Sequence, residues 1–442
     1  MQYDMRQTFE HDKGVDEATG SLVSDQAFAV NAIPVRLPAG SQLKPAEETL
    51  EYRCFFYGPE TDDELIYTYA YQPEANWTTY SKDESEKEME AGCRFSPAER
   101  YVRIVVRKSD IGPESTFGSL FRIEHAEKDN VQESIPEWMI EETERVCAKA
   151  DEIRCEGDAV FLLLADSHYT TGGIWEETVS SLKTVAQKLK PDGMIHLGDF
   201  TDGMLAGRHT RKITEEMLDD LNRVCSPVFA CIGNHDFNYF KDNPDKMTRQ
   251  QCAGLILGEE QLWYYKDIPD RKLRMIFLDS FDPECFERYG FDRQEVRWLR
   301  KTLKKTPKDF RVLIFSHVTP LPENHNWSID IRNSSKVMRA LEEFNRKKRN
   351  SVIGWIYGHN HADQIIEYRD FPLVSIGCSK LEEFWEHKPE DSVTHARKRG
   401  TRTQELWDVL IVHRSGDIDL IRYGAGEDRH IAGGERQNDR SE

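Results

Sequence analysis

Val160-Phe161-Leu162-Leu163-Leu164-Ala165-Asp166-Ser167-His168 is an unbroken apolar run that ends on a carboxylate and an imidazole. A run without polar alternation suits a strand covered on both faces of a sheet. Ending such a run in charge is costly unless the charge is paired or coordinated. The same design returns along the chain. Met194-Ile195-His196-Leu197 leads into Gly198-Asp199-Phe200-Thr201-Asp202, and Val228-Phe229-Ala230-Cys231-Ile232 into Gly233-Asn234-His235-Asp236. Val312-Leu313-Ile314-Phe315 leads into Ser316-His317, and Val352-Ile353-Gly354-Trp355-Ile356 into Gly358-His359-Asn360-His361. Arg274-Met275-Ile276-Phe277-Leu278 adds a further strand. In open α/β sheets the crevice beyond the strand carboxyl ends is where ligands bind. A lone histidine after a strand reads as a structural hydrogen-bonding residue, but Asp, Asn and His at successive strand ends, taken together, point to metal coordination.

Between these strands lie amphipathic helices, so the architecture is layered α/β. Val179, Leu182, Ala186 and Leu189 share one helix face, Val296, Leu299 and Leu303 another, and Val337, Leu341 and Phe344 a third. Asp292 and Glu295 have the spacing of a capping box at the start of the second. Near the carboxyl end, 407–411 and 418–421 flank Ser415-Gly416 as a β-hairpin. Upstream, Leu65-Ile66-Tyr67-Thr68-Tyr69 and the stretch 101–107 alternate at period two, and Gly58-Pro59 and Gly112-Pro113 punctuate them. The expected organisation is an all-β sandwich over 1–130, a connector helix within 131–156 that begins at Pro136 and carries Trp138, Met139, Val146, Ala150 and Ile153 on one side, a catalytic domain over 157–434, and a disordered tail over 435–442.

Composition narrows the function classes. Of 442 residues, 38% are hydrophobic and 31% charged, enough to bury a core. No apolar stretch approaches the roughly 20 residues of a membrane helix, and no apolar segment follows the charged start. The nine cysteines include no Cys-x-x-Cys pair, which disfavours a disulfide framework or thiolate zinc and favours a cytoplasmic setting. A net charge of −20 disfavours nucleic acid as a partner, and serves solubility whatever the function. The acidic run 83–90 reads as a solvated loop.

The ordered blocks Asp166-x-His168, Gly198-Asp199-x-x-Asp202, Gly233-Asn234-His235-Asp236, His317 and Gly358-His359-x-His361 resemble the calcineurin-like metallophosphoesterase superfamily over about residues 157–380. That resemblance implies a four-layer αββα sandwich with two facing sheets. It implies that Asp166, His168 and His361 hold one metal, that Asn234, His317 and His359 hold a second, and that Asp199 bridges them. It also implies His235 as the acid that protonates the leaving group, oriented by donating a hydrogen bond to Asp202, and a hydroxide between the metals as nucleophile. A dinuclear centre of this kind activates water and neutralises phosphoryl charge. Nitrogen and oxygen donors without thiolate suit manganese, iron or zinc.

Gly203 stands where the superfamily's protein-phosphatase branch has Arg, and Asp236 where it has Glu. Both departures disfavour a phosphoprotein substrate and leave a small phosphorylated molecule, as monoester or diester. The lips of the site are expected from 169–175, 204–211, 237–240 and 318–327, where Arg208 or Arg211 can pair with a distal phosphate and Tyr239 or Trp327 can stack on a base or sugar. His196, His209 and His325 are expected as structural or surface residues. In the amino-terminal region Tyr57, Tyr67, Tyr69, Tyr71 and Trp77 offer a carbohydrate contact, a protein contact, or simply core. Two alternatives to the hydrolase stand beside it: a non-catalytic binding or structural protein that keeps the fold, and a nuclease.

Overall fold

The computed structural model describes residues 7–16, 21–31, 33–37, 41–46, 50–58, 70–71, 77–78, 100–125, 135–169, 173–240, 243–325, 330–348, 351–382 and 389–433. The expected strand at 65–69 with Tyr67 and Tyr69, the acidic run 83–90, Trp327 and the tail 435–442 lie outside them. The described chain forms two compact units, one before Ile135 and one from Ile135 onward.

The first unit is built of antiparallel strands: β1 (Phe9–Val15), β2 (Leu22–Asn31), β3 (Val35–Leu37), β4 (Ser41–Pro45), β5 (Tyr52–Gly58), β6 (Ala70–Tyr71), β7 (Trp77–Thr78), β8 (Arg100–Arg107) and β9 (Phe121–His125). Seven make a sheet in the order β1-β2-β8-β5-β6, with β3 also on β8 and β7 also on β5, while β4 pairs with β9. Period-two alternation sorts β8 onto two faces. Val102, Ile104 and Val106 join Leu43 and Phe121 of the small sheet in one core. Tyr101 and Val105 join Phe55 and Tyr57 in another. Tyr57 is thereby a core residue and is lost as a candidate for stacking on sugar.

The second unit holds two six-stranded sheets. One runs β12 (Val228–Ala230), β11 (Gly193–His196), β10 (Ala159–Leu164), β19 (Leu406–Val412), β20 (Ile418–Gly424), β21 (Arg429–Ile431). The other runs β13 (Tyr264–Ile268), β14 (Leu273–Phe277), β15 (Arg311–Ser316), β16 (Val352–Tyr357), β18 (Phe371–Ser375), β17 (Gln364–Tyr368). The site-bearing strands are parallel: β10, β11 and β12 in the first sheet, and β14, β15, β16 and β18 in the second. Their carboxyl ends therefore converge within each sheet.

Alternation again sets the layers. Phe161, Leu163, Met275, Phe277, Leu313, Phe315 and Ile356 fill the space between the sheets. Val312, Ile314 and Trp355 point the other way, onto the helices Arg293–Lys305 and Ser334–Lys348. The first sheet is covered by the helices Glu137–Ile153, Trp175–Leu189 and Gly207–Val224. This is the four-layer αββα sandwich. Each large side chain fully buried in it contributes about 1.5–3 kcal/mol of transfer free energy. The capping box at Asp292 forms as its spacing predicts, with the Asp292 carboxylate accepting from Gln294 N (2.5 Å) and Glu295 accepting from Asp292 N (3.1 Å).

Two expectations change. The helix read as a connector is Glu137–Ile153 and packs on β19 and β20 as part of the second unit. Glu142 is buried there and accepts from Gly424 N (2.9 Å), while the Tyr423 hydroxyl donates to Met139 O (3.0 Å). The stretch 204–211, read as a loop lip, turns helical from Gly207. That helix buries His209, Thr210 and Thr214 beside Ile213, Met217 and Leu221, so its inner face is half polar and its apolar period is weak.

Glu405 gives this unit a pH-dependent stability. Burial pushes its carboxyl up to about 7, although Thr178 (2.8 Å) and Gln404 (3.1 Å) donate to it. With the folded value above the unfolded one of 4.5, the stability lost to ionisation is absent below about pH 4.5 and complete above about pH 7. Glu405→Gln can keep both hydrogen bonds, because the Thr178 hydroxyl can accept from the amide. We expect it to stabilise by about 3 kcal/mol at pH 8 and by less than about 1 kcal/mol at pH 5. Melting temperatures of the two proteins at both pH values check this; an equal gap at both would show that Glu405 does not titrate in this range.

Candidate metal centre

The loops that follow β10 and β11 continue the pairing of those strands. Asp166 N donates to Gly198 O (3.0 Å), His168 N to Asp199 O (3.0 Å) and Tyr169 N to Phe200 O (2.7 Å). Along these tips and after β16 the backbone is strained. Asp166 (φ 54°), His168 (38°), Asp199 (58°), His359 (66°) and His361 (50°) all lie in the left-handed region. A non-glycine residue there costs roughly 1–2 kcal/mol, and such strain persists where the surroundings over-determine it, typically at functional sites. Two glycines let the loops close on the carboxylates. A Cβ on Gly233 would sit 2.1 Å from Asp199 Oδ1, and one on Gly358 would sit 2.5 Å from Asp166 Oδ2.

These loops bring all seven sequence-predicted ligands together. Around His317 Nε2 lie Asn234 Oδ1 at 3.0 Å, Asp199 Oδ2 at 3.1 Å and His359 Nδ1 at 3.2 Å. The other nitrogen of His317 donates to Leu197 O (2.9 Å), which fixes the tautomer and turns the Nε2 lone pair into the cluster. A second group faces it. His168 Nε2 and His361 Nε2 lie 3.1 Å apart, Asp166 Oδ1 is 3.4 Å from His361 Nε2, and Asp199 Oδ2 is 3.7 Å from His168 Nε2. Asp199 Oδ2 thus belongs to both groups, while its Oδ1 accepts from His235 N (2.8 Å). All are buried except His361, which is nearly so.

Facing nitrogen and oxygen lone pairs repel unless positive charge lies between them. Donors that share one ion at about 2.0–2.1 Å stand roughly 3 Å from each other, the spacing found here. On His317 Nε2 a proton can take that place when no cation does: burial opposes charge there, yet the Asp199 carboxylate lifts the imidazole to about 9, and Asp199 in turn is held well below the usual carboxylate range. The donor set fits two cations with a carboxylate between them. Asp236 organises the loops behind it, accepting from Gly233 N (2.7 Å), Asp199 N (3.0 Å) and Phe200 N (2.8 Å).

His235 stands beside the ligands, its ring 4.8 Å from that of His168, and its Nδ1–H donates to the backbone carbonyl of Asp202 (2.8 Å). The expected carboxylate contact is different: Asp202 Oδ1 lies 2.7 Å from Nδ1 of His168 instead. The left-handed turn at His168 swings that ring over Asp202, and Gly203 packs its backbone against His235 O. Tyr239 lies beside the site, where burial raises its hydroxyl and the neighbouring Asn234 side chain partly offsets the rise. Arg208 is exposed in the first turn of Gly207–Val224, next to His209.

Three neighbours carried no sequence signal. His325, expected as structural, stacks on His359 at 4.9 Å with Nε2 to Nε2 3.1 Å. Tyr289 packs on both, 4.4 Å from His325 and 5.3 Å from His359. Glu382 hydrogen-bonds Nδ1 of His361 from beyond β18. Each arrives from a loop with no recognisable motif.

The fold and the site define a phosphoester hydrolase built for two metal ions. Residues 159–363 match the family model for calcineurin-like phosphoesterases. It is similar, at 20% identity over 317 residues, to the manganese-dependent ADP-ribose/CDP-alcohol diphosphatase of Xenopus laevis; the match covers 60% of this chain and 80% of that protein. Among solved structures, a dimetal phosphatase from Danio rerio aligns at 18% identity and a TM-score of 0.44, covering 62% of this chain and 99% of that one. The structure of PhoD aligns at 11% identity and a TM-score of 0.40, covering 93% and 92%.

Proposed function

We propose that this chain hydrolyses a small phosphorylated substrate, with Asp166, His168 and His361 around one cation, Asn234, His317 and His359 around the other, and Asp199 between them. The observation that carries this reading is the position of Asp199 Oδ2, 3.1 Å from His317 Nε2 and 3.7 Å from His168 Nε2, where one oxygen can serve both groups. When bound, two cations polarise phosphoryl oxygens and make water a nucleophile near neutral pH. The chain's own part is positional. His317 keeps Nε2 inward by donating Nδ1–H to Leu197, Asn234 keeps Oδ1 inward beside Tyr239, and His235, held by Asp202 O, turns Nε2 to the site, where it protonates the leaving oxygen.

Manganese is the first candidate, since the donors are nitrogen and oxygen and the curated relative is manganese-dependent. Nucleotide-linked diphosphates lead the substrates for the same reason, with Tyr239 and Arg208 on the lip as contacts for the part beyond the scissile bond. The region before Ile135 is an accessory module whose carbohydrate or protein contact belongs to this proposal. A cytoplasmic setting fits the described cysteines, which are all free; among the described residues no helix is long and apolar enough to cross a membrane. The scaffold alternative has against it the retention of every donor on a strained backbone. The nuclease alternative has against it a net charge of −20.

The test is a panel of phosphomonoesters, cyclic and linear diesters, nucleotides and nucleotide-linked diphosphates. Chelator-stripped protein should be inactive, and added manganese should restore turnover on at least one class. Metal-loaded, folded protein that hydrolyses none of them would overturn the hydrolase reading in favour of the scaffold.

A further inference from the structure

We propose that Lys380 is a positioning residue for the Asp166–His168–His361 cation site, acting through two carboxylates that each hold one histidine of that site. The inference rests on the metal-binding reading above and adds to it a part of the chain beyond the family match, which ends at residue 363.

Two histidines face this site through Nε2, and each presents Nδ1 to a different carboxylate. Asp202 Oδ1 stands 2.7 Å from Nδ1 of His168, and Glu382 bonds Nδ1 of His361. A carboxylate on the distal nitrogen fixes the tautomer and the ring angle of a metal-binding histidine. Lys380 Nζ joins the two supports, 3.3 Å from Glu382 Oε2 and 3.9 Å from Asp202 Oδ1. Its side chain is only 17% exposed, so water screens these charges weakly.

Lys380 is itself firmly placed. Ser379 N donates to Ala165 O (2.9 Å) and Lys380 N to Asp166 O (3.2 Å), so the segment after β18 runs beside the loop that carries Asp166 and His168. From the other side Arg397 donates to Cys378 O (2.9 Å) and Ser379 O (3.5 Å). The result is a chain of close charges from His168 through Asp202, Lys380 and Glu382 to His361, hydrogen-bonded at His361 and held by proximity of charge, without a hydrogen bond, at Asp202. It supports both histidines of one cation site and touches none of Asn234, His317 or His359 among the contacts described.

A positioning role and a bystander charge predict opposite signs. Removing a positive charge beside a cation site tightens the site if charge is all that matters, whereas loss of the linked charges loosens it. We expect Lys380→Met to weaken the more labile of two bound manganese ions by about 10- to 100-fold, read as metal content per chain during chelator titration. The manganese resonance spectrum should change from that of an interacting pair to that of an isolated ion. Glu382→Gln should give the same loss, and the double variant little more than either alone, because both break one chain of charges.

Wild-type protein is measured first. If it holds no pair of ions, the underlying metal reading fails. If it holds two and Lys380→Met holds both as tightly or more tightly, the positioning role fails alone. Should Lys380→Met not fold, Lys380→Gln decides: selective weakening of one ion supports the positioning role, and unchanged or tighter binding of both overturns it.

Discussion

Asp199→Ala is expected to lose both metal ions at once and to lower turnover by at least about 10³-fold. A bridging carboxylate is a donor to two sites, so its removal leaves each with one anionic donor fewer. The only carboxylate remaining among the predicted ligands is Asp166, in the first group. Asn234, His317 and His359 would then have no anion between them, and three neutral donors in a buried site hold a divalent cation poorly. The activity loss follows from the metal loss. Lewis-acid stabilisation of phosphoryl charge is worth several kcal/mol, and about 1.4 kcal/mol is tenfold in rate. Asp199 Oδ1 also accepts from His235 N (2.8 Å), so the alanine frees the backbone that carries the proposed acid. Metal content by elemental analysis after desalting from manganese buffer is the primary measurement. A folded variant that retains two ions per chain would mean that Asp199 does not bridge.

The sequence made this residue legible because its physical context is unusual: an apolar strand that terminates in Gly198-Asp199 must spend burial energy on a charge. The same contrast marks Asp166, His317 and the pair at His359 and His361, and it places each at the end of a strand. It also yields the layered α/β architecture, since the runs at β10, β14, β15 and β16 lack the polar alternation of a one-sided sheet; the two facing sheets are implied by the family resemblance alone.

What stayed hidden has equally physical reasons. The edge strand β17 is short and alternates in burial, but polarity does not follow it: Gln364 is buried and Ile365 exposed, so Gln364–Tyr368 carries no readable strand pattern. The Gly207–Val224 helix hides behind a polar inner face. The family resemblance ties Asp202 to the right neighbourhood and a different contact, because a shared motif does not tell a carboxylate from a carbonyl, nor one nearby imidazole from another. The turn at His168 decides that, and left-handed conformations at non-glycine residues leave no mark in composition. His325 and Glu382 reach the ligands from loops set by tertiary packing, and nothing in the residues around them announces it.

His235→Asn separates proton donation from coordination, the question left by a histidine whose donor atoms lie within 4.8 Å of those of His168 and Asp199. Asparagine can keep a hydrogen bond to the Asp202 carbonyl, so the loop between Asn234 and Asp236 has little reason to move. Asp236 continues to accept from Gly233, Asp199 and Phe200. We therefore expect two ions per chain, as in the wild type, with kcat lower by about 10²- to 10⁴-fold, the usual worth of a general acid. The size of the fall should depend on the leaving group. A nitrophenolate departs without a proton, so the variant should be nearly as fast as the wild type on nitrophenyl esters and slowest on alkyl or sugar esters. A residue that binds metal instead gives the opposite pattern: one ion lost, and an equal fall on every substrate. Steady-state rates over a leaving-group series, run beside elemental analysis on the same preparations, decide between the two, and an equal fall with full metal content would remove His235 from both roles and leave it as a support for substrate position.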